Sequence, residues 1–198
     1  MNNYTNILKH FGQYFFKNHL KHLILHVTNH CNFRCSHCFV DFVNPKKDLK
    51  LDKYIEVSKS INDLFWLDIA GGEPFLRKDL HQIINLFKKQ VVSIPTNGYL
   101  LKNIQEQIEL IDKKETELVI NFSLDGLEKT HNLIRKNPQS WSKVWTTFEA
   151  IKDIKNVKCR IITVIHDGNK HEIIPLMKLV KNKGVDFHSV ILLRGDPL

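Results

Sequence analysis

Apolar runs rich in β-branched residues alternate along this chain with segments of helical period. The runs Leu23–Thr28, Phe65–Ala70, Val91–Pro95, Leu118–Leu124, Lys158–Ile165 and Phe187–Leu193 read as strands. Helical period predicts helices over Tyr54–Leu64, Leu80–Lys89, Leu101–Lys113, Trp141–Ile154 and Glu172–Lys183, and a further one from Tyr4 to about Leu20. In the second of these, Leu80, Ile83, Ile84 and Phe87 share one face, as in a helix laid against a sheet. The near-continuous apolar character of the strands predicts cover on both faces of the sheet. Six strands alternating with helices imply parallel pairing through right-handed crossovers. An open doubly wound sheet and a barrel both satisfy that order, and both put reactive residues at the C-terminal ends of the strands.

A chain of 198 residues suffices for one domain with a sizeable core. Residues 1–22 read as a helical lead-in and 23–198 as the core domain. After the last strand only Arg194–Leu198 remain, so the core is expected to lack a C-terminal region. The net charge of +8 suits an anionic small molecule or an acidic protein partner as well as a nucleic acid or a membrane. Most lysines lie among acids, as in Lys152–Asp153, and read as solvated surface, so no membrane partner is expected and no nucleic-acid partner is singled out. Leu23–Val27 is too short to span a bilayer, no signal-peptide pattern is present, and the cytoplasm is the expected location.

Composition leaves the chemistry open; the cysteines narrow it. Three of the four stand at Cys31, Cys35 and Cys38, spaced C-x3-C-x2-C on one loop after the first strand. Clustered cysteines in a chain without an export signal point to metal ligation. Three thiolates can hold three irons of a [4Fe–4S] cubane, leaving the fourth iron for an exogenous chelate such as the amino and carboxylate groups of a methionine moiety. A structural zinc site with His30 or His37 as fourth ligand is the competing reading, although zinc loops usually pair two ligand clusters. A four-cysteine cluster would need Cys159, whose alternating neighbours mark it as a core residue of a strand.

The loop, including Asn32 after the first cysteine, resembles the signature of the radical S-adenosylmethionine (SAM) superfamily, and later motifs follow in the expected order. The resemblance implies an α/β fold, a partial (β/α)6 TIM-like barrel of parallel strands, and decides between barrel and open sheet. It assigns Cys31, Cys35 and Cys38 to the cluster and Gly71, Gly72 and Glu73 of the Gly-Gly-Glu-Pro motif to the methionine amino group; a strand-ending turn is the plain alternative. Asn97 lies in a Thr-Asn-Gly turn similar to ones in the family, which a simple turn would also explain. Ser123 and Asp125 of Ser-Leu-Asp-Gly resemble the corresponding strand of peptide-modifying members of SPASM or twitch type. Their alternation could present both to a ribose diol, or Asp125 could cap the next segment. His131 and Arg135 form a similar His-x3-Arg pattern, with Arg135 either pairing with the methionine carboxylate or solvated early in a helix. His37 and Phe39 are placed to stack near adenine or only to shape the loop.

Two departures stand out. The fifth strand, Arg160–Ile165, has no glycine where the family often carries one, which leaves adenine packing on Ile162 or Val164, or on the backbone of Val190–Gly195, undecided. The cysteine-rich C-terminal region of many members with this fourth-strand motif is missing from these residues. The implied activity is reductive cleavage of S-adenosyl-L-methionine to a 5′-deoxyadenosyl radical that takes hydrogen from a substrate. A low-potential donor of flavodoxin or ferredoxin type is the implied electron partner, and the substrate is a peptide, a protein or a small molecule. A noncatalytic iron–sulfur or zinc protein that binds a partner is the alternative from another class.

Overall fold

The structure, a computed structural model, describes residues 21–43 and 47–193. The helix expected over Tyr4 to Leu20 and the tail from Arg194 lie outside the described residues. The order is β1 (His22–Thr28), α1 (Leu51–Lys59), β2 (Leu64–Gly71), α2 (Leu80–Asn85), β3 (Lys89–Thr96), α3 (Leu101–Leu110), β4 (Glu117–Ser123), α4 (Glu128–Arg135), α5 (Ser140–Ile151), β5 (Val157–Ile165), α6 (Ile173–Asn182) and β6 (Phe187–Leu192). The six strands form one sheet in sequence order, every neighbouring pair parallel. This is the partial TIM-like barrel of the α/β class.

Helices cover one face of the sheet. Leu67, Ile69, Val92, Ile94, Leu118, Ile120, Phe122, Cys159 and Ile161 are buried there against Ile83 and Ile84 of α2, Ile104 and Ile108 of α3, Val144 and Phe148 of α5, and Leu176 and Val180 of α6. Each such side chain contributes about 1.5–3 kcal/mol of transfer free energy, which is why short helices hold their places. Cys159 belongs to this core and stands apart from the other three cysteines.

The other face also has buried positions, among them Ser93, Val119 and Asn121, but several of them are polar. Register puts Trp66 and Asp68 of β2, Ser93 of β3, Asn121 of β4 and Arg160 of β5 on the inner face, turned away from the helices. The inner face is therefore mixed, with these side chains alternating with Val91, Val119, Ile162 and Val164. Phe187 and Ile191 at the inner side of β6, and Ile24 of β1, are half-exposed or more.

Several helices differ from the sequence reading. The first crossover helix starts at Leu51 and ends at Lys59, because Leu64, whose apolar side chain extends the helical period, opens β2 with its N–H bonded to the Lys88 carbonyl at 2.8 Å. Helix α2 stops at Asn85; Phe87 keeps the apolar face going from within a turn, and Lys89 already starts β3. Helix α4 buries His131, Ile134 and Arg135, of which only Ile134 is apolar. It is capped by Lys136 in the left-handed region at φ 52°, and Arg135 is its last residue, not an early one.

Candidate active site

The cysteine loop leaves the C-terminal end of β1, where the Thr28 hydroxyl donates to Asp48 at 2.7 Å and accepts the His30 N–H at 3.0 Å. Beyond the end of β2 the backbone continues alongside this loop. Gly72 N–H donates to the Thr28 carbonyl at 2.8 Å and Glu73 N–H to the His30 carbonyl at 2.9 Å. A Cβ on Gly72 would stand 2.3 Å from the His30 oxygen, and one on Gly71 2.6 Å from the Thr28 oxygen. The close approach that requires both glycines is thus made to the cysteine loop itself.

Glu73 is buried, and its carboxylate gathers the strand ends. Oε1 accepts from the Thr96 hydroxyl at 3.0 Å and the Phe75 N–H at 3.3 Å, and Oε2 accepts from the Asn97 N–H at 2.8 Å. Burial pushes its pKa up to about 7 even though these donors pull the other way. A cation beside it would favour the ionised form. Asn97 donates through Nδ2 to Asn32 Oδ1 at 2.8 Å and accepts the Tyr99 N–H at 3.0 Å, so the Thr-Asn-Gly turn braces the cysteine loop.

The far side of the loop rests on α4. Ser36 N–H donates to the Ile134 carbonyl at 2.9 Å, and Arg135 donates to Cys35 Sγ at 3.6 Å. Arg135 also forms an ion pair with Asp125 at 2.5 Å, and His37 Nε2 lies 3.8 Å from the same carboxylate. Arg135 is buried, which excludes the solvated alternative, and these two partners take up guanidinium nitrogens assigned from the family resemblance to a ligand. Asp125 Oδ1 accepts the Val164 N–H at 3.1 Å. Burial favours the neutral acid at Asp125, but Arg135, His37 and His131 outweigh it and hold the carboxyl below the usual range. Ser123 ends β4 in register with Ile162, is half-buried, and has no hydrogen-bonded side-chain partner among the described residues.

Sequence reasoning missed two supports here. Asn169 is buried and donates to the Asp125 carbonyl at 2.7 Å and the Val164 carbonyl at 2.8 Å; its only signal is a turn-like Asp-Gly-Asn run. His166 lies beside His37, ring centroids 6.0 Å apart. Phe39 is exposed, away from any stacking role in this arrangement.

His131 is buried beneath the pair. Its Nδ1 accepts the Asp125 N–H at 3.1 Å, so Nε2 carries the proton and donates to Ser140 Oγ at 2.7 Å. Burial and then Arg135 push its pKa down to about 3. Neutral His131 therefore stabilises the fold above the ordinary imidazole value of about 6.5, and that contribution is lost as pH falls from there toward about 3. Between about pH 7 and about pH 5 the loss is about 2 kcal/mol, equivalent to about 4–8 °C in melting temperature for a chain of this size. Thermal melts should show that slope in the parent chain and a flatter one in His131→Gln; parallel profiles would contradict the assignment.

Cys31, Cys35 and Cys38 are unpaired thiols, each half-buried. Burial pushes the Cys31 thiol up to about 11 against the pull of the Phe33 N–H, which donates to its sulfur at 3.4 Å. Burial also raises Cys35, with Arg135 opposing it. Thiols that raise one another when charged favour a multiply positive group as their common partner, and a coordinating metal removes their protons outright. Among the described residues no three His, Cys, Asp or Glu side chains converge as ligands of a single ion would. Cubane thiolates bind separate irons, so the donor chemistry fits an iron–sulfur cluster.

A strand-end site with three clustered thiols on a parallel partial barrel defines the class of the protein, and the sequence model of the Radical SAM superfamily matches residues 25–180. The chain belongs to that superfamily of enzymes, whose cofactors are a [4Fe–4S] cluster and SAM. Among curated relatives it is similar to a GTP 3′,8-cyclase of Helicobacter pylori, 32% identical over 178 residues, covering 83% of this chain and 53% of the relative. The molybdenum cofactor biosynthesis protein 1 of Dictyostelium discoideum is 28% identical over 189 residues, covering 88% of this chain and 29% of that protein. The chain thus spans about half or less of these relatives' lengths. In fold it is similar to Streptococcus suis SuiB bound to S-adenosylmethionine, with TM-score 0.70, 20% identity and coverage of 97% of this chain and 46% of that one. It is likewise similar to anSMEcpe with bound AdoMet and Kp18Cys peptide, with TM-score 0.72, 23% identity and coverage of 88% and 51%. No helix among the described residues is long and apolar enough to cross a membrane.

Proposed function

We propose that this chain is the core of a radical SAM enzyme in which Cys31, Cys35 and Cys38 hold a [4Fe–4S] cluster and the neighbouring strand ends hold SAM. The observation that carries the reading is one loop bearing three thiols, braced at once by β2 through Glu73, by β3 through Asn97 and by α4 through Ile134 and Arg135. Such bracing fixes the thiols before any cofactor arrives, so little ordering remains for binding. When bound, the cluster and SAM supply one-electron reductive cleavage and a 5′-deoxyadenosyl radical that takes hydrogen from substrate. The chain's own residues bind, orient and exclude water. Gly71, Gly72 and Glu73 shape the methionine-amine subsite beside the loop, Ser123 offers a free hydroxyl at the end of β4, and Asp125 and Arg135 hold the charge balance around Cys35.

The core unit runs from residue 23, with 1–22 as lead-in, and a flavodoxin- or ferredoxin-type donor supplies the electron. The relatives named for GTP favour an anionic small molecule as substrate over a peptide; the peptide-bound neighbour is below the identity at which more than fold carries over.

The test is anaerobic reconstitution with iron and sulfide, then incubation with SAM and dithionite. Formation of 5′-deoxyadenosine is expected; its absence with intact cluster would leave a noncatalytic metal-binding protein. Glu73→Gln should retain the cluster while weakening SAM binding by about tenfold or more, the worth of one charge-assisted hydrogen bond. Unchanged affinity in a titration would remove Glu73 from the amine subsite.

A further inference from the structure

A chain of hydrogen bonds runs across the inner face of the sheet, below the strand ends. Asp68 accepts from Trp66 Nε1 at 2.8 Å and from Ser93 Oγ at 2.5 Å, and its other oxygen lies 2.7 Å from His22 Nε2. Ser93 Oγ accepts in turn from Asn121 Nδ2 at 2.9 Å. The direction of this chain is fixed by counting protons. Ser93 has a single hydroxyl hydrogen and gives it to a carboxylate, which can only accept, so Ser93 must receive the hydrogen of Asn121. The Asn121 amide therefore cannot flip, and its carbonyl oxygen is the atom left over. Asn121 is 4% exposed, and Oδ1 is buried without a partner.

Arg160 is the register partner of Asn121 on the adjacent strand, about 4.8 Å away across the sheet. Its guanidinium faces Phe187, 5.7 Å from the ring centroid, and its Nε is buried without a hydrogen-bond partner. No carboxylate pairs with it among the described residues. Asp68, on the same face, is already committed to its three partners, and Lys158 is paired with Asp186. The inner face thus carries a half-buried cation whose Nε lacks a partner and, one strand over, a buried acceptor of fixed orientation without one. Buried groups of this kind are costly unless something binds them.

We propose that Asn121 and Arg160 form a substrate subsite for an anionic small molecule whose carboxylate or phosphate meets Arg160 while a neighbouring N–H or O–H donates to Asn121 Oδ1. Asn121 lies two positions before Ser123, the last residue of β4, and Arg160 is level with Asn121 in register on β5, so the subsite is one layer below the end of β4. It rests on the radical SAM reading, because a ligand held there faces the strand ends at which the radical would be generated. The Ser93–Asp68 chain acts as its positioning support, and the Phe187 ring shields one side of the guanidinium.

The experiment uses the full chain, reconstituted without oxygen and loaded with SAM. Three probes are titrated by calorimetry: GTP, inorganic triphosphate and glycylglycine. Saturable binding of at least one is expected, weakened about tenfold or more in Arg160→Gln and less in Arg160→Lys. Binding of both phosphate probes assigns the anionic group to phosphate, whereas binding of glycylglycine alone assigns it to a carboxylate. On the parent chain, phenylglyoxal should modify Arg160 and the bound probe should protect it, a readout independent of how the variants fold. No saturable binding, equal affinity in Arg160→Gln, or modification without protection would overturn the subsite. Uncoupled 5′-deoxyadenosine formation, measured in the same sample without probe, reports separately on the radical SAM reading.

Discussion

Cys35→Ala protein reconstituted without oxygen is expected to lose the cluster absorbance near ~400 nm and, with it, all 5′-deoxyadenosine formation. Cys35 is the thiol closest to a fixed positive charge, since Arg135 donates to its sulfur at 3.6 Å, and that charge favours the thiolate that binds metal. Removing it leaves two thiols for a cluster that needs three, and it strands Arg135 beside a vacated position. Cys159→Ala is the matched control. Cys159 is fully buried on the helix-covered face of β5, where burial pushes its thiol up to about 12, so its loss should cost stability and no iron. Equal absorbance in the Cys35 variant and the parent would exclude the ligand set.

The second large effect is on stability. Asp125→Ala should lower the unfolding free energy of the metal-free chain by about 3–5 kcal/mol, the usual cost of leaving one partner of a buried ion pair uncompensated. For a chain of this length that is about 10 °C or more in melting temperature. Arg135 is buried, and Asp125 is its only carboxylate partner among the described residues. Asp125→Leu combined with Arg135→Met should recover much of the loss, because the pair then leaves no charge in the interior. In the parent, the contribution of Asp125 is full above the ordinary carboxylate range and declines as pH falls through its depressed value. A single variant that melts with the parent would show that the pair contributes nothing.

The strands were the most legible part of the chain. Their β-branched runs mark all six to within two residues at each end, because strands backed by helices must be apolar at alternate positions whatever lies opposite. Helix α4 escaped because the residues it buries are His131, Ile134 and Arg135, and only the middle one carries a hydrophobic signal. The cysteine loop was legible from spacing alone, since the ligands are neighbours in sequence. The surroundings of the loop were not. Gly71 and Gly72 read as part of a methionine-amine motif, and in three dimensions they also lie against Thr28 and His30 of the cysteine loop. Asp125 and Arg135 each read as separate ligand contacts, and the fold joins them to each other. Such pairings, like that of Asn121 with Arg160, depend on register between strands and on how a loop folds over them, quantities that local periodicity does not encode.

Metal quantification on protein purified without oxygen, followed by spectroscopy of the reduced sample with and without SAM, tests the central claim most directly. About four irons with matching sulfide per chain are predicted, with a signal that changes when SAM is added because one iron has no protein ligand to displace. Stoichiometric zinc in place of iron, or an iron–sulfur signal indifferent to SAM, would contradict the account.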